Sequence, residues 1–158
     1  MAAPSTFPPV LRELLRTHQT FLSFAASHVQ TLDLTLPQFD IIITLGSTTG
    51  MTFKKLGEKT LITKGTLTGV ISRLEDKGLV QRVASETDGR SQIVRLTAAG
   101  EALYERTFPE YLLFINRLFN DYSSEEIAEL EAALGRLRKA VIAARNEETE
   151  SLADETDE

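Results

Sequence analysis

A mainly α chain carrying one small β-hairpin is the fold class the sequence predicts, and three observations predict it. Apolar residues recur at helical spacing through most of the 158 residues, while only two short segments alternate at period two. A Lys77-Gly78 helix stop is followed by an Asp88-Gly89 turn, which marks where helix gives way to hairpin. The composition, 42% hydrophobic and 25% charged, is that of an ordinary soluble domain long enough to bury one core. No apolar run approaches the roughly 18 residues a membrane-spanning helix needs. The opening MAAPSTFPPV has no basic stretch ahead of an apolar one, so it reads as a Pro-stiffened lead-in, not a secretory signal. The absence of cysteine excludes disulfide scaffolds, thiolate metal sites and thiol switches, and fits a cytoplasmic location.

The first helix is predicted over residues 10 to 29, where Leu11, Leu14, Leu15, His18, Leu22, Ala25 and Val29 form one stripe. Thr35 precedes Leu36-Pro37, a favourable first turn for a second helix carrying Phe39, Ile42 and Ile43 up to Gly46. After the loop residues Ser47 to Gly50, Thr52 is a plausible cap for a third helix with Phe53 and Leu56 inward, ending near Lys59.

The fourth helix is the most informative. Thr63 can cap it, and Leu67, Val70, Ile71 and Leu74 make one core-facing stripe. Gly65, Gly69 and Ser72 point directly away, flanked by Thr68 and Arg73. Two exposed glycines cost roughly 1 kcal/mol each against alanine in a helix interior. Drift on an unconstrained surface would explain them. So would a backbone that must lie close to something broad, such as the major groove of DNA, read by short polar side chains and arginine. Two alternating segments follow, Leu79 to Ala84 and Gln92 to Leu96, with Leu79/Val83 and Val94/Leu96 as the expected inward positions. Helix, turn, helix, hairpin is the order of a winged helix-turn-helix.

Charge is segregated along the chain. The formal net charge is −6, yet residues 147 to 158 hold seven acids and no base, and without them the chain stands at +1. Lys54 to Arg95 carries nine basic residues against five acidic ones. The acidic end is too poor in apolar residues to bury a core and is expected to be a disordered tail.

On the phrases ITKGTLTGVISRLEDKGLVQR and TDGRSQIVRLTAAG, residues 37 to 100 resemble the MarR family of transcriptional regulators, and the likeness extends over about residues 10 to 145. The family's wing carries Asp-x-Arg, an alternating strand and Leu-Thr-x-x-Gly; here these are Asp88-Gly89-Arg90, Ile93 to Leu96, and Leu96 to Gly100. Gly89 stands where many members place a second arginine. The resemblance implies that Thr63, Lys64, Gly65, Thr66, Thr68, Gly69, Ser72 and Arg73 form a recognition helix. It also implies that Arg90 enters the minor groove while Asp88 holds the wing in shape. A narrow minor groove concentrates negative potential and so attracts an inserted arginine; a plain solvated loop arginine is the alternative. For Lys54, Lys55, Lys59, Lys64 and Arg82, phosphate contact competes with simple solvation.

Beyond the hairpin, Thr97 can cap a fifth helix carrying Leu103, Phe108, Tyr111, Leu112, Ile115, Leu118 and Phe119, which Pro109 should kink without ending. Ser123 and Glu126 form a capping box for a sixth. Its Ile127, Leu130, Leu134, Leu137 and Val141 follow the 3, 4, 3, 4 spacing of a paired-helix seam. That seam could pack within one chain; the resemblance implies that it interlocks two subunits, with Leu11, Leu14, Leu15, Tyr111, Ile115, Leu130, Leu134, Leu137 and Val141 in the interface. The expected organisation is a helical dimerisation region (1–36 and 97–146), a winged helix-turn-helix DNA-binding region (37–96) and an acidic tail (147–158).

The expected function is a sequence-specific double-stranded DNA-binding regulator. It would be a homodimeric repressor on a pseudo-palindromic operator, released by a small aromatic or phenolic ligand as the resemblance implies. A winged-helix protein-interaction module without DNA binding is the alternative. His18, Phe21 and Phe39 are the weak ligand candidates. His18 and His28 are the only histidines and fall about 80° apart on one helix, too far round to form a local chelate. No cofactor or metal is expected. No phosphate loop, catalytic triad order or metal-ligand spacing suggests an enzyme, and Glu125/Glu126 suit a helix N-terminus.

Overall fold

The computed structural model describes residues 9–60 and 62–154, with side chains through residue 148. The lead-in residues 1–8 and the last four residues of the acidic tail lie outside the described residues. The elements run α1 (Pro9–Val29), a 3-10 turn (Gln30–Leu32), α2 (Leu36–Leu45), β1 (Met51–Thr52), α3 (Phe53–Thr60), α4 (Lys64–Asp76), β2 (Val80–Ala84), β3 (Gln92–Leu96), α5 (Ala98–Asn116), a second 3-10 turn (Arg117–Phe119) and α6 (Ser124–Asp154). They divide into two compact units, Met1–Ile115 and Asn116–Glu158.

In the first unit, α2 is started by a full capping box. The Thr35 hydroxyl accepts the Gln38 N–H at 3.4 Å and the Gln38 side chain accepts the Thr35 N–H at 3.0 Å. Phe39, Ile41, Ile42 and Leu45 of α2, Leu56 of α3, and Leu67, Ile71 and Leu74 of α4 meet in one core with Val29, Met51, Val80, Val94 and Leu96. The α4 stripe thus faces inward, as its spacing requires.

The sheet differs from the expected hairpin in two ways. It has three strands in the order β1-β3-β2, because Met51 and Thr52 pair antiparallel with Val94 and Ile93. Two residues are too few to carry a period, and Thr52 also caps α3 by accepting the Lys55 N–H at 3.3 Å. The phase of β2 is also shifted by one residue. Val80 is the buried position, whereas Leu79 and Val83, the expected inward pair, are half-buried. The cause is the way α4 stops. Gly78, at φ 70°, donates to Glu75 O at 2.8 Å and Leu79 donates to Leu74 O at 3.0 Å, a Schellman motif that keeps Leu79 in the helix terminus. The strand begins one residue later, and a one-residue slip exchanges its faces. Val80 and Arg82 therefore pair with Leu96 and Val94 on the core side.

Thr97 joins the hairpin to α5. Its hydroxyl donates to Gly78 O at 2.6 Å and accepts the Gly100 N–H at 3.1 Å, while its N–H donates to Leu79 O at 3.1 Å. Gly100 packs so closely under the Leu79 carbonyl that a Cβ there would overlap it. The helix runs through Pro109 to Asn116, as the resumed apolar pattern predicts.

The second unit is built on α6. Ser123 N–H donates to the Glu126 carboxylate at 2.8 Å and Glu126 N–H donates to the Ser123 hydroxyl at 3.2 Å. The Ser123 N–H, with the Ser123 hydroxyl beside it, holds the Glu126 carboxyl below its ordinary range. The helix continues to Asp154, so residues 147–154 are helical where a disordered tail was expected. Glu, Ala and Leu are good helix formers, and extending an existing helix avoids the cost of nucleation. Along α6, Leu130, Leu134 and Val141 are exposed, and Ile127 and Leu137 are half-buried.

Candidate nucleic-acid interface

Burying Leu67, Val70, Ile71 and Leu74 turns the opposite face of α4 outward. Thr63, Lys64, Gly65, Thr66, Thr68, Gly69 and Arg73 are all exposed, and Ser72 is half-buried. A Cβ built on Gly65 or Gly69 meets no atom within 4 Å, so this face is open space above bare backbone. Thr63 takes the extended backbone of an N-cap, but its side chain does not cap the helix as expected. Its hydroxyl donates to the Thr66 hydroxyl at 3.2 Å. The Thr68 hydroxyl back-bonds to Lys64 O at 3.3 Å.

The wing tip is rigidly wired. Ser85 Oγ, a buried group, accepts the N–H groups of Thr87 at 3.4 Å and Asp88 at 3.3 Å. Asp88 accepts the Arg90 N–H and the Ser91 hydroxyl, and Ser91 N–H donates to Asp88 O at 2.9 Å. The side chain of Arg90 remains exposed on this frame. Ser85 was not singled out in the sequence. Its signal is the Ser85-x-x-Asp88 spacing, which suits local side-chain to backbone bonding.

Lys54, Lys55 and Lys59 are exposed on α3. Among the described residues, no ion pair or side-chain hydrogen bond engages the side chains of these lysines, Lys64, Arg73 or Arg90. Lys54 and Lys64 also border a groove between α3 and α4 with Phe53, Gly57, Glu58 and Ile62. Unpaired cations on an open face can meet a polyanion without first breaking internal bonds.

Arg82, one of the expected phosphate contacts, is engaged within the fold. It lies on the core side of β2, donates to the Ser72 hydroxyl at 2.9 Å, pairs with the Glu75 carboxylate at 3.0 Å and sits 5.3 Å over the Phe53 ring. A guanidinium so engaged would have to give up these contacts to meet phosphate. The same contact explains why Ser72 is half-buried, where the helical wheel placed it fully outward.

The ligand candidates are not brought together. Phe39 is fully buried and packs edge-on against Tyr111 at 4.8 Å, so it belongs to the core. His18 is exposed although it falls on the predicted apolar stripe of α1, and Phe21 is 40% exposed. Sequence reasoning missed an aromatic cluster formed by α1 and α5. Phe24 stacks on Phe114 at 4.2 Å, and His28 stacks on Phe114 at 4.7 Å and tilts against Tyr111 at 5.9 Å. Beside Tyr111, burial pushes the Asp40 carboxyl up to about 6. Tyr111 is raised in turn, by its own burial and by the charge on Asp40. Of the expected dimer residues in this unit, Leu11, Leu14, Tyr111 and Ile115 are half-buried and Leu15 is 60% exposed.

A core-anchored helix with an open polar face, preceded by a second short helix and followed by a wired hairpin, defines a winged helix-turn-helix protein. The MarR family model matches residues 34–92. The organic hydroperoxide resistance transcriptional regulator of Bacillus subtilis is 32% identical over 131 residues, covering 76% of this chain and 86% of that protein. The chain belongs to the MarR family of winged-helix transcriptional regulators. The homoprotocatechuate degradative operon repressor of Escherichia coli is 29% identical over 140 residues, covering 85% of this chain and 95% of the repressor. An HTH-type transcriptional regulator of Bacillus cereus is 35% identical over 94 residues, and there the chain spans 62% of the relative's length. The crystal structure of NadR in complex with 4-hydroxyphenylacetate superposes with a TM-score of 0.70 at 26% identity, covering 87% of this chain and 97% of NadR. No described helix is long and apolar enough to cross a membrane.

Proposed function

We propose that the protein is a homodimeric, sequence-specific double-stranded DNA-binding repressor that works in the cytoplasm and has no catalytic activity. The observation that carries this reading is the outward face of α4. Thr63 to Arg73 present short polar side chains, two bare glycines and unpaired Lys64 and Arg73 to open space. A helix so dressed can lie close in a major groove. Arg90 supplies a minor-groove contact, and Lys54, Lys55, Lys59 and Lys64 contact phosphates. Residues 37–96 form the DNA-binding region; residues 1–36 and 97–146 form the dimerisation region. In the dimer, Leu11, Leu14, Leu15, Tyr111, Ile115, Leu130, Leu134, Leu137 and Val141 lie between subunits. Two-fold pairing would set the recognition helices about 34 Å apart, on successive major grooves of a pseudo-palindrome.

A small phenolic acid is the effector class this reading favours. NadR was crystallised with 4-hydroxyphenylacetate, and the E. coli relative represses a homoprotocatechuate operon. With no cysteine, the chain has no thiol for an oxidant to act on. The test is selection from a random duplex library, followed by binding to the selected duplex across a salt series and in the presence of phenolic acids. Specific binding that weakens steeply with salt is expected. Failure to enrich any duplex would favour a protein-interaction module instead.

A further inference from the structure

We infer that Arg82 is a positioning residue that sets the angle of the recognition helix against the wing. The inference rests on the reading of α4 as the groove-reading helix and adds to it the residue that aims it. Arg82 belongs to β2, yet both of its polar partners, Ser72 and Glu75, lie one turn apart on α4, and its guanidinium covers Phe53 at the start of α3. One side chain therefore ties three elements together at the rim of the exposed face. Gly69 and Thr68 lie one turn before Ser72.

The energetics of this contact are poorly suited to stability alone. The Arg82 and Glu75 side chains are only 27% and 31% exposed, and the Arg82 Nε is buried without a partner among the described residues. A partly buried ion pair with an orphaned donor is often matched or bettered by an apolar side chain of similar length. What an apolar side chain lacks is direction. One guanidinium nitrogen, Nη2, reaches Ser72 and Glu75 at once while the planar group lies over Phe53, and this ties the rotation of α4 about its own axis to β2 and α3. A rotation of roughly 20° would move side-chain tips on a helix of this diameter by about 2 Å, enough to lose hydrogen bonds to base edges. Phosphate contacts made by long lysines tolerate such a shift.

The experiment compares Arg82→Lys and Arg82→Met with wild type, on the selected duplex and on a random duplex, from 50 to 300 mM KCl (roughly the range over which phosphate contacts are resolved). If Arg82 positions the helix, both variants lose on the order of tenfold or more in affinity for the selected duplex. Lysine has no planar guanidinium to lay over Phe53 while its nitrogen reaches Ser72 and Glu75. Random-duplex affinity stays within about twofold, and the slope of log K against log salt is unchanged. If Arg82 contacts phosphate, the charge-conserving lysine retains binding. Methionine would then weaken both duplexes and lower the slope by about 1.8, two phosphates per dimer. That pattern, or wild-type discrimination in both variants, overturns the inference. Should methionine unfold the chain, Glu75→Gln carries the test, with loss of discrimination at constant slope expected and retained discrimination overturning it. A wild-type protein that binds no duplex overturns the DNA reading itself, an outcome the variants do not imitate.

Discussion

Asp88 holds the backbone of Arg90. One carboxylate oxygen accepts the Arg90 N–H at 3.1 Å while the other accepts the Ser91 hydroxyl at 2.9 Å. The carboxylate shapes the tip, leaving the guanidinium two residues on exposed to solvent. The two residues should therefore fail differently. Arg90→Ala is expected to cost about 1–3 kcal/mol in affinity for the selected duplex, with folding intact. Asp88→Ala should leave the charge in place and lose affinity by loosening the tip, which amide exchange at Arg90 and Ser91 would show. Unchanged affinity in Arg90→Ala would remove Arg90 from the interface.

Gly69 has open space where a side chain would stand. Gly69→Ala should stabilise the fold by about 0.5–1 kcal/mol through helix propensity alone. Gly69→Glu should abolish duplex binding and leave the dimer unaltered. Anisotropy titration beside sedimentation tests both; a Gly69→Glu protein that still binds would take this face out of the groove.

Leu134 is 47% exposed on α6 and lies in the middle of the predicted seam. Leu134→Asp should cost the isolated chain little, but would bury a charge in a dimer. A weakening of dimerisation by at least about 100-fold is expected, read by sedimentation over a concentration series. Helical content should be retained. A variant that dimerises like wild type would move the interface elsewhere.

Asp40 titrates near 6 in the folded chain, against 3.8 ordinarily, because burial opposes its charge. A raised carboxyl pKa means that the native state holds its proton longer than the unfolded state. The contribution of Asp40 to stability is therefore most favourable below about pH 4, falls as pH rises to about 6, and is level above it. Asp40→Asn should remove this fall and raise stability at neutral pH by on the order of 1 kcal/mol, since the partly solvated carboxylate is screened. Urea unfolding of both proteins at about pH 4.5 and 7, at one protomer concentration, measures the difference. Parallel changes in the two would clear Asp40 of the effect.

Much of this architecture can be read in the sequence because it is written in periods. The spacing of Leu67, Val70, Ile71 and Leu74 alone shows which face of α4 turns inward, and Thr35, Thr97 and Ser123 each mark a helix start that the structure contains. What escapes is set by single-residue events. The Schellman stop at Gly78 delays β2 by one residue, which moves Val80 inward and turns Arg82 toward Ser72 and Glu75. Nothing local to Arg82 signals this, so on sequence grounds it looks like another surface cation. The Met51–Thr52 strand is too short to have a period, and its partner lies some forty residues on. The Phe24, His28 and Phe114 stack depends on α1 meeting α5, a contact no single-helix pattern contains. The extension of α6 past Glu147 shows helix propagation prevailing over an acidic composition.

The junction at Thr97 has a kinetic consequence. Thr97 and Gly78, 19 residues apart, close the base of the hairpin through a 2.6 Å hydrogen bond. Leu79 bonds to Leu74 on one side and Thr97 on the other. The end of α4, the root of the wing and the start of α5 therefore open together or not at all, and their amides should exchange only when the whole unit unfolds. Glu86 to Gly89 lie beyond that knot, exposed and held by the local bonds of Ser85 and Asp88. The hairpin is a limb with a fixed shoulder: its root holds to α4 and α5, and the bonds at its tip set the frame from which Arg90 extends.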